Sequence, residues 1–231
     1  MHRIGLLLAT ALTVFAADPI RVQVTTGGHP HELSFYSLFE GQDDLRVMVD
    51  NHPSAYRRDL RKIADVLVLY DLADTTGAKE RQNLQNFAES GGGIVVLHHA
   101  LADNWEWKWW YEELVGGRFL MGNDGAMVRS TAKANEVLNA RPVAEHPVLA
   151  GVGDLKLDDE AYKGMWLSPK SRVLMVTDNP DNDKAVVWIS PWQKSRVIAI
   201  QLGHGSAAHR DPGYRKLVRN AILWAAGRIN E

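Results

Sequence analysis

Residues 91–100 read Gly91-Gly92-Gly93-Ile94-Val95-Val96-Leu97-His98-His99-Ala100. A glycine turn leads into four apolar residues, and the run stops at two histidines. Such a run is typical of a parallel strand that is covered on both faces. Ligands of open α/β sheets bind beyond the carboxyl ends of these strands, so a reacting group is expected here. Because adjacent strand residues point to opposite faces, we predict that His98 faces a cleft and His99 points away.

Histidines follow two other predicted strands. The strand at residues 21–26 leads into Gly27-Gly28-His29-Pro30-His31-Glu32, and the strand at residues 196–202 leads into Gly203-His204-Gly205. One such histidine alone would read as a structural side chain of a loop or core. Three parallel strand ends that each supply an imidazole to one edge indicate a site. We therefore expect His98, His204 and at least one of His29 and His31 around one cleft.

The remaining pattern alternates strands and helices. Strands are predicted at residues 21–26, 45–50, 65–71 and 94–97, and helices at 31–40, 56–63, 78–89, 105–114 and 212–226. Shorter strands follow at residues 127–133, 136–138, 173–177, 185–189 and 196–202. This alternation predicts an α/β fold, with a doubly wound, mostly parallel sheet and helices on both faces.

Composition limits the function. The chain has 231 residues, 45% of them hydrophobic, a net charge of −2 and no cysteine. One domain is expected, and the balanced charge gives no footprint for nucleic acid. The absence of cysteine excludes a thiolate nucleophile and a thiolate metal site. Neither a P-loop nor a Gly-x-Gly-x-x-Gly motif is present, which argues against nucleotides.

The amino terminus predicts export. Met1-His2-Arg3 precedes an apolar run of about a dozen residues, and Val14 and Ala16 suit a cleavage site after Ala16. Residues 1–16 are therefore predicted to be a signal peptide and residues 17–231 the mature domain, periplasmic or secreted. The run is short for a membrane span, so no membrane association is expected after cleavage. A retained anchor or a first buried strand is the alternative.

Two further clusters are candidates for the site. Asp158-Asp159-Glu160-Ala161-Tyr162 offers Glu160 as an acid, a base or a partner for a histidine, and Tyr162 as a hydrogen-bond donor. A solvated acidic turn is the alternative. The aromatic run at residues 105–111 begins with Trp105, which we expect at the rim of the cleft, stacked on a sugar ring. Core packing is the alternative there.

An ordered set of motifs resembles the ThuA-like (trehalose utilisation) family. The set comprises Gly91–His98, Leu114-Val115-Gly116-Gly117-Arg118-Phe119, His146-Pro147-Val148, Asp159-Glu160-Ala161-Tyr162, Val187-Trp188, Leu202-Gly203-His204 and Ile222-Leu223-Trp224-Ala225. The resemblance implies a flavodoxin-like sheet related to class I glutamine amidotransferases, and a link to sugar metabolism, especially oxidised disaccharides. His98, His204, Glu160 and Tyr162 match the family's motifs, and His29 and His31 match its first turn more loosely. Many relatives carry His-Pro where this chain has Leu120-Met121-Gly122-Asn123.

Three functions are compared on these residues. The first is an exported enzyme that hydrolyses or isomerises a sugar or keto-sugar, with His98, His204 and Glu160 as catalytic residues. Its substrate-binding residues would be His29, His31, Tyr162 and Trp105. The second is a non-catalytic sugar-binding module. The third, a glutamine amidotransferase, fails because no cysteine can form its thioester. No cofactor is identified, but a divalent metal such as zinc would use the histidines rather than the acidic group alone.

Overall fold

The computed structural model describes residues 18–72 and 76–230, so the predicted signal peptide at residues 1–16 lies outside the described residues. The strands are β1 (Ile20–Thr26), β2 (Leu45–Asn51), β3 (Val66–Leu69), β4 (Gly93–Leu97), β5 (Gly117–Arg118), β6 (Thr131–Pro142), β7 (Leu155–Lys163), β8 (Trp166–Leu167), β9 (Arg172–Thr177), β10 (Ala185–Ile189) and β11 (Val197–Ile200). The α-helices are α1 (Ala78–Glu89), α2 (Ser206–Arg210) and α3 (Pro212–Ala225).

One large sheet has the strand order β2-β1-β3-β4-β11-β10-β9-β6-β7. The first five of these strands are parallel to one another, and every pairing from β11 to β7 is antiparallel. This arrangement confirms the predicted α/β fold with a mostly parallel sheet. Since β1, β4 and β11 run in the same direction, the residues that follow them emerge at one edge.

Both faces of the sheet are covered, as the unbroken apolar run of β4 predicts. Val95 and Leu97 pack in one core with α3, whereas Ile94 and Val96 pack in a second core with α1. All five residues of β4 are buried. Within residues 18–72 and 76–230, the helices are too short or too polar to cross a bilayer.

Three predicted helices form differently. Residues 31–40 contain a 3-10 segment, Leu33–Phe39, and the stretch predicted at 56–63 forms only two shorter 3-10 segments, Ser54–Tyr56 and Leu60–Lys62. Serine and aromatic residues are weak helix formers, and the Ser37 hydroxyl donates a hydrogen bond to the Ser34 carbonyl at 2.7 Å. The aromatic run forms a π-helical segment, Trp109–Val115.

The middle of the chain also differs from the prediction. Two short strands were expected around a polar turn, but residues 131–142 form the single strand β6, whose register is irregular between Lys133 and Glu136. Asn135 lies there with φ at 60°, which identifies a bulge rather than a turn. The acidic group at residues 158–160 lies within β7, so the alternative of a solvated acidic turn is wrong.

Candidate functional site

The structure brings together the histidines that follow β1, β4 and β11. His98 Nε2 lies 3.2 Å from His204 Nδ1. The His29 ring lies edge-on to His204, with ring centroids 6.5 Å apart. His98 is fully buried, whereas His29 is exposed. The three strand ends therefore form one site, with buried His98 at its bottom and exposed His29 at its entrance.

His99 belongs to this site, and the prediction that it points away is wrong. Strand β4 ends at Leu97, and His98 opens a 3-10 segment with the left-handed φ of 40°. Strand alternation therefore no longer applies at His99. Its ring stacks on His29 with centroids 4.2 Å apart and lies 4.7 Å from the ring of His98.

The ring of His99 is held neutral. It is 3% exposed, and neither of its buried ring nitrogens has a hydrogen-bond partner among residues 18–72 and 76–230. Burial, with the histidines around it, lowers the pKa of His99 to about 2. A neutral imidazole with unpaired nitrogens retains a lone pair that can accept a proton or bind a metal.

The orientation of the His98 ring is fixed by a hydrogen bond at Nδ1, on the side away from Glu160 and His204. Its Nδ1 lies 2.5 Å from the Gln201 carbonyl oxygen, so Nδ1 carries the proton and donates it. In the neutral ring, Nε2 accepts from the Tyr162 hydroxyl, which lies 2.9 Å from it, whereas in the protonated ring Nε2 is a donor. The Tyr162 ring also stacks on His98, with centroids 4.6 Å apart.

Glu160 joins His98 and His204. Its Oε2 lies 3.2 Å from His98 Nε2 and 3.3 Å from His204 Nδ1. Burial disfavours the charged carboxylate, but hydrogen bonds with His204 and His98 outweigh burial and hold the pKa of Glu160 well below its usual range. The same hydrogen bond to Glu160 raises the pKa of His204. The site therefore contains an ionised carboxylate between two imidazoles.

Asp159 holds the strand end that carries His204, a role that the sequence analysis missed. Its carboxylate accepts hydrogen bonds from the backbone N–H groups of Gly203 at 2.7 Å and His204 at 2.8 Å. Asp159 is 4% exposed and shares its face of β7 with Leu157 and Ala161. The alternation of residues 155–161 could have shown it: a carboxylate at an inward position needs partners.

Two other predicted site residues lie outside the cluster. His31 Nε2 lies 3.0 Å from the Tyr36 hydroxyl, at the flank of the site. The Trp105 carbonyl accepts a hydrogen bond from Arg118 at 2.6 Å, and its ring lies beside Gly122. Among the described ring contacts, Trp105 makes none with the histidines. The expected binding of substrate by His31 and Trp105 stays a prediction.

A separate buried carboxyl group follows β3. Asp71 is fully buried and accepts a hydrogen bond from the Tyr56 hydroxyl at 2.9 Å, with His52 Nδ1 at 3.6 Å. Burial raises the pKa of Asp71 from 3.8 to about 6, although its hydrogen bonds with Asp103 and Tyr56 oppose the rise. The folded state thus keeps a proton that the unfolded chain has released.

We predict from this that Asp71→Asn removes a pH-dependent loss of stability. In the wild type, the protonated Asp71 makes its full contribution to the free energy of unfolding below the unfolded pKa of 3.8. This contribution is lost as the pH rises through about 6. At about pH 8 the free energy of unfolding of the variant should exceed that of the wild type by about 1–3 kcal/mol, which is the free energy that the rise in the pKa of Asp71 represents. At about pH 4 the two should agree. Urea unfolding at both pH values tests this, and a difference that does not change with pH would contradict it.

Comparison with known proteins identifies relatives over nearly the whole described chain. A family model described as ThuA, trehalose utilisation, matches residues 21–225. No curated protein matches the sequence significantly.

Solved structures share the fold. A ThuA-like protein from Parabacteroides merdae is 16% identical, with a TM-score of 0.78, covering 93% of this chain and 92% of that one. A ThuA-like protein from Bacteroides uniformis is 22% identical, with a TM-score of 0.68 and coverage of 92% and 94%. A β-galactosidase from Bacillus circulans is 8% identical, with a TM-score of 0.61, but only 31% of its chain is covered. At these identities the likeness extends to the fold alone.

Proposed function

The chain belongs to the ThuA family of trehalose utilisation, and on that premise we propose that it is an enzyme of carbohydrate metabolism. Its substrate is a sugar or keto-sugar, which it hydrolyses or isomerises at the site formed by His98, His204 and Glu160. The proposal includes export, because residues 1–16 have the pattern of a signal peptide. A mature chain that retains Met1 would contradict that part of it.

One observation carries the proposal: an ionised carboxylate lies between two imidazoles at the carboxyl edge of a parallel sheet. Glu160 Oε2 contacts His98 Nε2 at 3.2 Å and His204 Nδ1 at 3.3 Å. Groups at this distance can pass a proton among themselves, which general acid–base catalysis needs. The position suits a ligand as well, since α/β folds bind ligands beyond the ends of their parallel strands.

The exposure of the site assigns a role to each group. The His204 side chain is 37% exposed and the Glu160 side chain 17%, so both can meet a substrate. His98 is fully buried and fixed by Gln201 and Tyr162, so it orients and polarises the other two. His29 lies exposed at the mouth, where its ring can donate to or accept from a hydroxyl.

The chemistry suits a keto-sugar. A proton on the carbon next to a ketone is acidic enough for a carboxylate or an imidazole to remove. Returning that proton to the former carbonyl carbon, with the hydroxyl proton of the alpha carbon passed to the old carbonyl oxygen, isomerises the sugar. Expelling a glycosidic oxygen, protonated as it leaves, from the carbon on the other side of the alpha carbon splits a disaccharide, and adding water to the double bond that remains completes the hydrolysis. Both outcomes need one group that accepts a proton and one that donates it. Glu160 as base and His204 as acid supply this pair.

A substrate screen tests the function. The mature chain is incubated with disaccharides and with their keto derivatives in D₂O, and the products are followed by NMR. We expect conversion of at least one keto-sugar, with deuterium gained at the carbon next to the carbonyl. Tight binding of a sugar without any conversion would contradict the enzyme and establish a binding module instead. Neither binding nor conversion would contradict both.

A further inference from the structure

We infer that His98, His204 and Glu160 form a binding site for a divalent transition-metal ion, with His99 positioned as a further nitrogen ligand. This inference deepens the proposed function, and its chemical role depends on that function, whereas metal binding itself does not. The sequence placed His99 outside any such site. The structure is what brings its ring to the other two histidines.

The distances among the three side chains also match those within the ligand set of a metal ion. His98 Nε2, His204 Nδ1 and Glu160 Oε2 form a triangle with sides of 3.2, 3.2 and 3.3 Å. Ligands of a tetrahedral zinc ion at about 2.0–2.1 Å lie about 3.3–3.4 Å from one another. Charge-assisted hydrogen bonds between imidazolium and carboxylate are shorter, about 2.7–2.9 Å. Three contacts of nearly equal length, at the long end of the hydrogen-bond range, are therefore what the ligands of one metal ion would show.

The surroundings orient these atoms as metal ligands are usually oriented. The Gln201 carbonyl accepts the Nδ1 proton of His98 at 2.5 Å, which leaves Nε2 as the ligand atom. Asp159 accepts a hydrogen bond from the backbone N–H of His204 at 2.8 Å, which fixes the main chain that carries the second ring. His98 also keeps a left-handed φ of 40°, and strain of this kind concentrates at functional sites.

The environment of His99 supplies an independent observation. Its two ring nitrogens are buried and have no hydrogen-bond partner in the part of the chain that the structure describes, although buried polar atoms are nearly always paired. Ligand atoms of His98, His99 and His204 all lie within 4.8 Å of one another. A metal ion at the triangle would give one nitrogen of His99 a partner after a small ring movement.

The ligand set restricts the metal. Imidazole and carboxylate without thiolate are the ligands of zinc in hydrolytic sites and of iron(II) in two-histidine, one-carboxylate sites. Calcium and magnesium prefer oxygen ligands and do not suit two or three imidazoles. The site is therefore expected to take Zn²⁺ and its first-row neighbours, and a metal there would polarise a sugar carbonyl or hydroxyl.

Metal titration tests the inference without any substrate. The full mature chain, stripped with a chelator, is titrated with Co²⁺ while its visible absorption is recorded, and Zn²⁺ is then used as a competitor. We expect equimolar binding with the intense absorption of a low-coordinate Co²⁺ complex. Glu160→Gln and His204→Ala should each weaken binding by about 100-fold or more, since changes to outer-shell groups already cost 10–100-fold.

Two matched variants control for general effects. Asp158→Asn changes an exposed carboxylate two positions along β7, and His31→Ala removes a histidine outside the triangle. Both should bind the metal as the wild type does. Wild-type binding no tighter than that of His204→Ala would overturn the inference, as would equal losses in the controls. Metal binding without sugar conversion contradicts only the proposed function, and conversion by a chain that binds no metal contradicts only this inference.

Discussion

Glu160→Gln is expected to lower turnover of the sugar substrate by about 10²- to 10⁴-fold, the usual range for losing a general acid or base. Glutamine keeps the shape of the side chain and one oxygen beside His98 and His204. It carries no charge, however, and cannot accept the proton that the reaction releases. Because the shape of the site is kept, we expect substrate binding to change by only a few-fold. Steady-state turnover and direct titration of the substrate measure the two effects separately.

The same strand offers a control for this prediction. Asp158→Asn makes the same change of charge on the exposed face of β7 and should leave turnover unchanged. His204→Ala and His98→Ala should each lower turnover by about 10²-fold or more, because they remove the partners of Glu160. If Glu160→Gln keeps turnover within a few-fold of the wild type, the carboxylate is not a catalytic group and the proposed mechanism fails.

The strand ends could be predicted from sequence because their signals are local. An apolar run bounded by glycine and histidine identifies β4, and strand–helix alternation sets its parallel neighbours. These two facts alone predict that one edge of the sheet, at the carboxyl ends of its parallel strands, carries His29, His98 and His204. Their exact partners follow from the packing of β11 against β4, which no pattern along the chain encodes.

The positions of His99 and Asp159 could not be predicted from local sequence patterns. The direction of the His99 side chain depends on the residue at which β4 ends, and strand boundaries are uncertain by a few residues in any sequence. Asp159 lies on β7, at the far edge of the sheet from β2, yet its carboxylate binds the turn after β11. That contact joins residues 44 positions apart, so the sequence around Asp159 does not reveal its partner. Taken alone, this sequence indicates only an acidic segment.

Gly203→Ala is expected to destabilise the fold by about 3 kcal/mol or more, from backbone strain and overpacking together. Gly203 has φ at 115°, where side chains are strained, and an added Cβ would lie 2.0 Å from the Tyr214 hydroxyl oxygen. Tyr214 is fully buried and donates to the Leu202 carbonyl at 3.1 Å, so it cannot move aside freely. Urea unfolding of the purified variant measures the loss.

Two companion variants separate strain from overpacking. Gly41→Ala shares a positive φ, 70°, but its Cβ would meet nothing within 4 Å, so it should cost only about 1 kcal/mol. Tyr214→Phe in the Gly203→Ala background removes the oxygen at 2.0 Å but leaves a ring carbon at 2.7 Å, so stability should return in part. Equal costs for the two glycine variants would show that the contact with Tyr214 does not limit this turn. A larger cost at Gly203 would instead show that packing against Tyr214 limits the turn that carries His204. The N–H of Gly203 also donates to Asp159, and its carbonyl accepts from the Tyr70 hydroxyl, so the backbone of this turn cannot shift to relieve the contact.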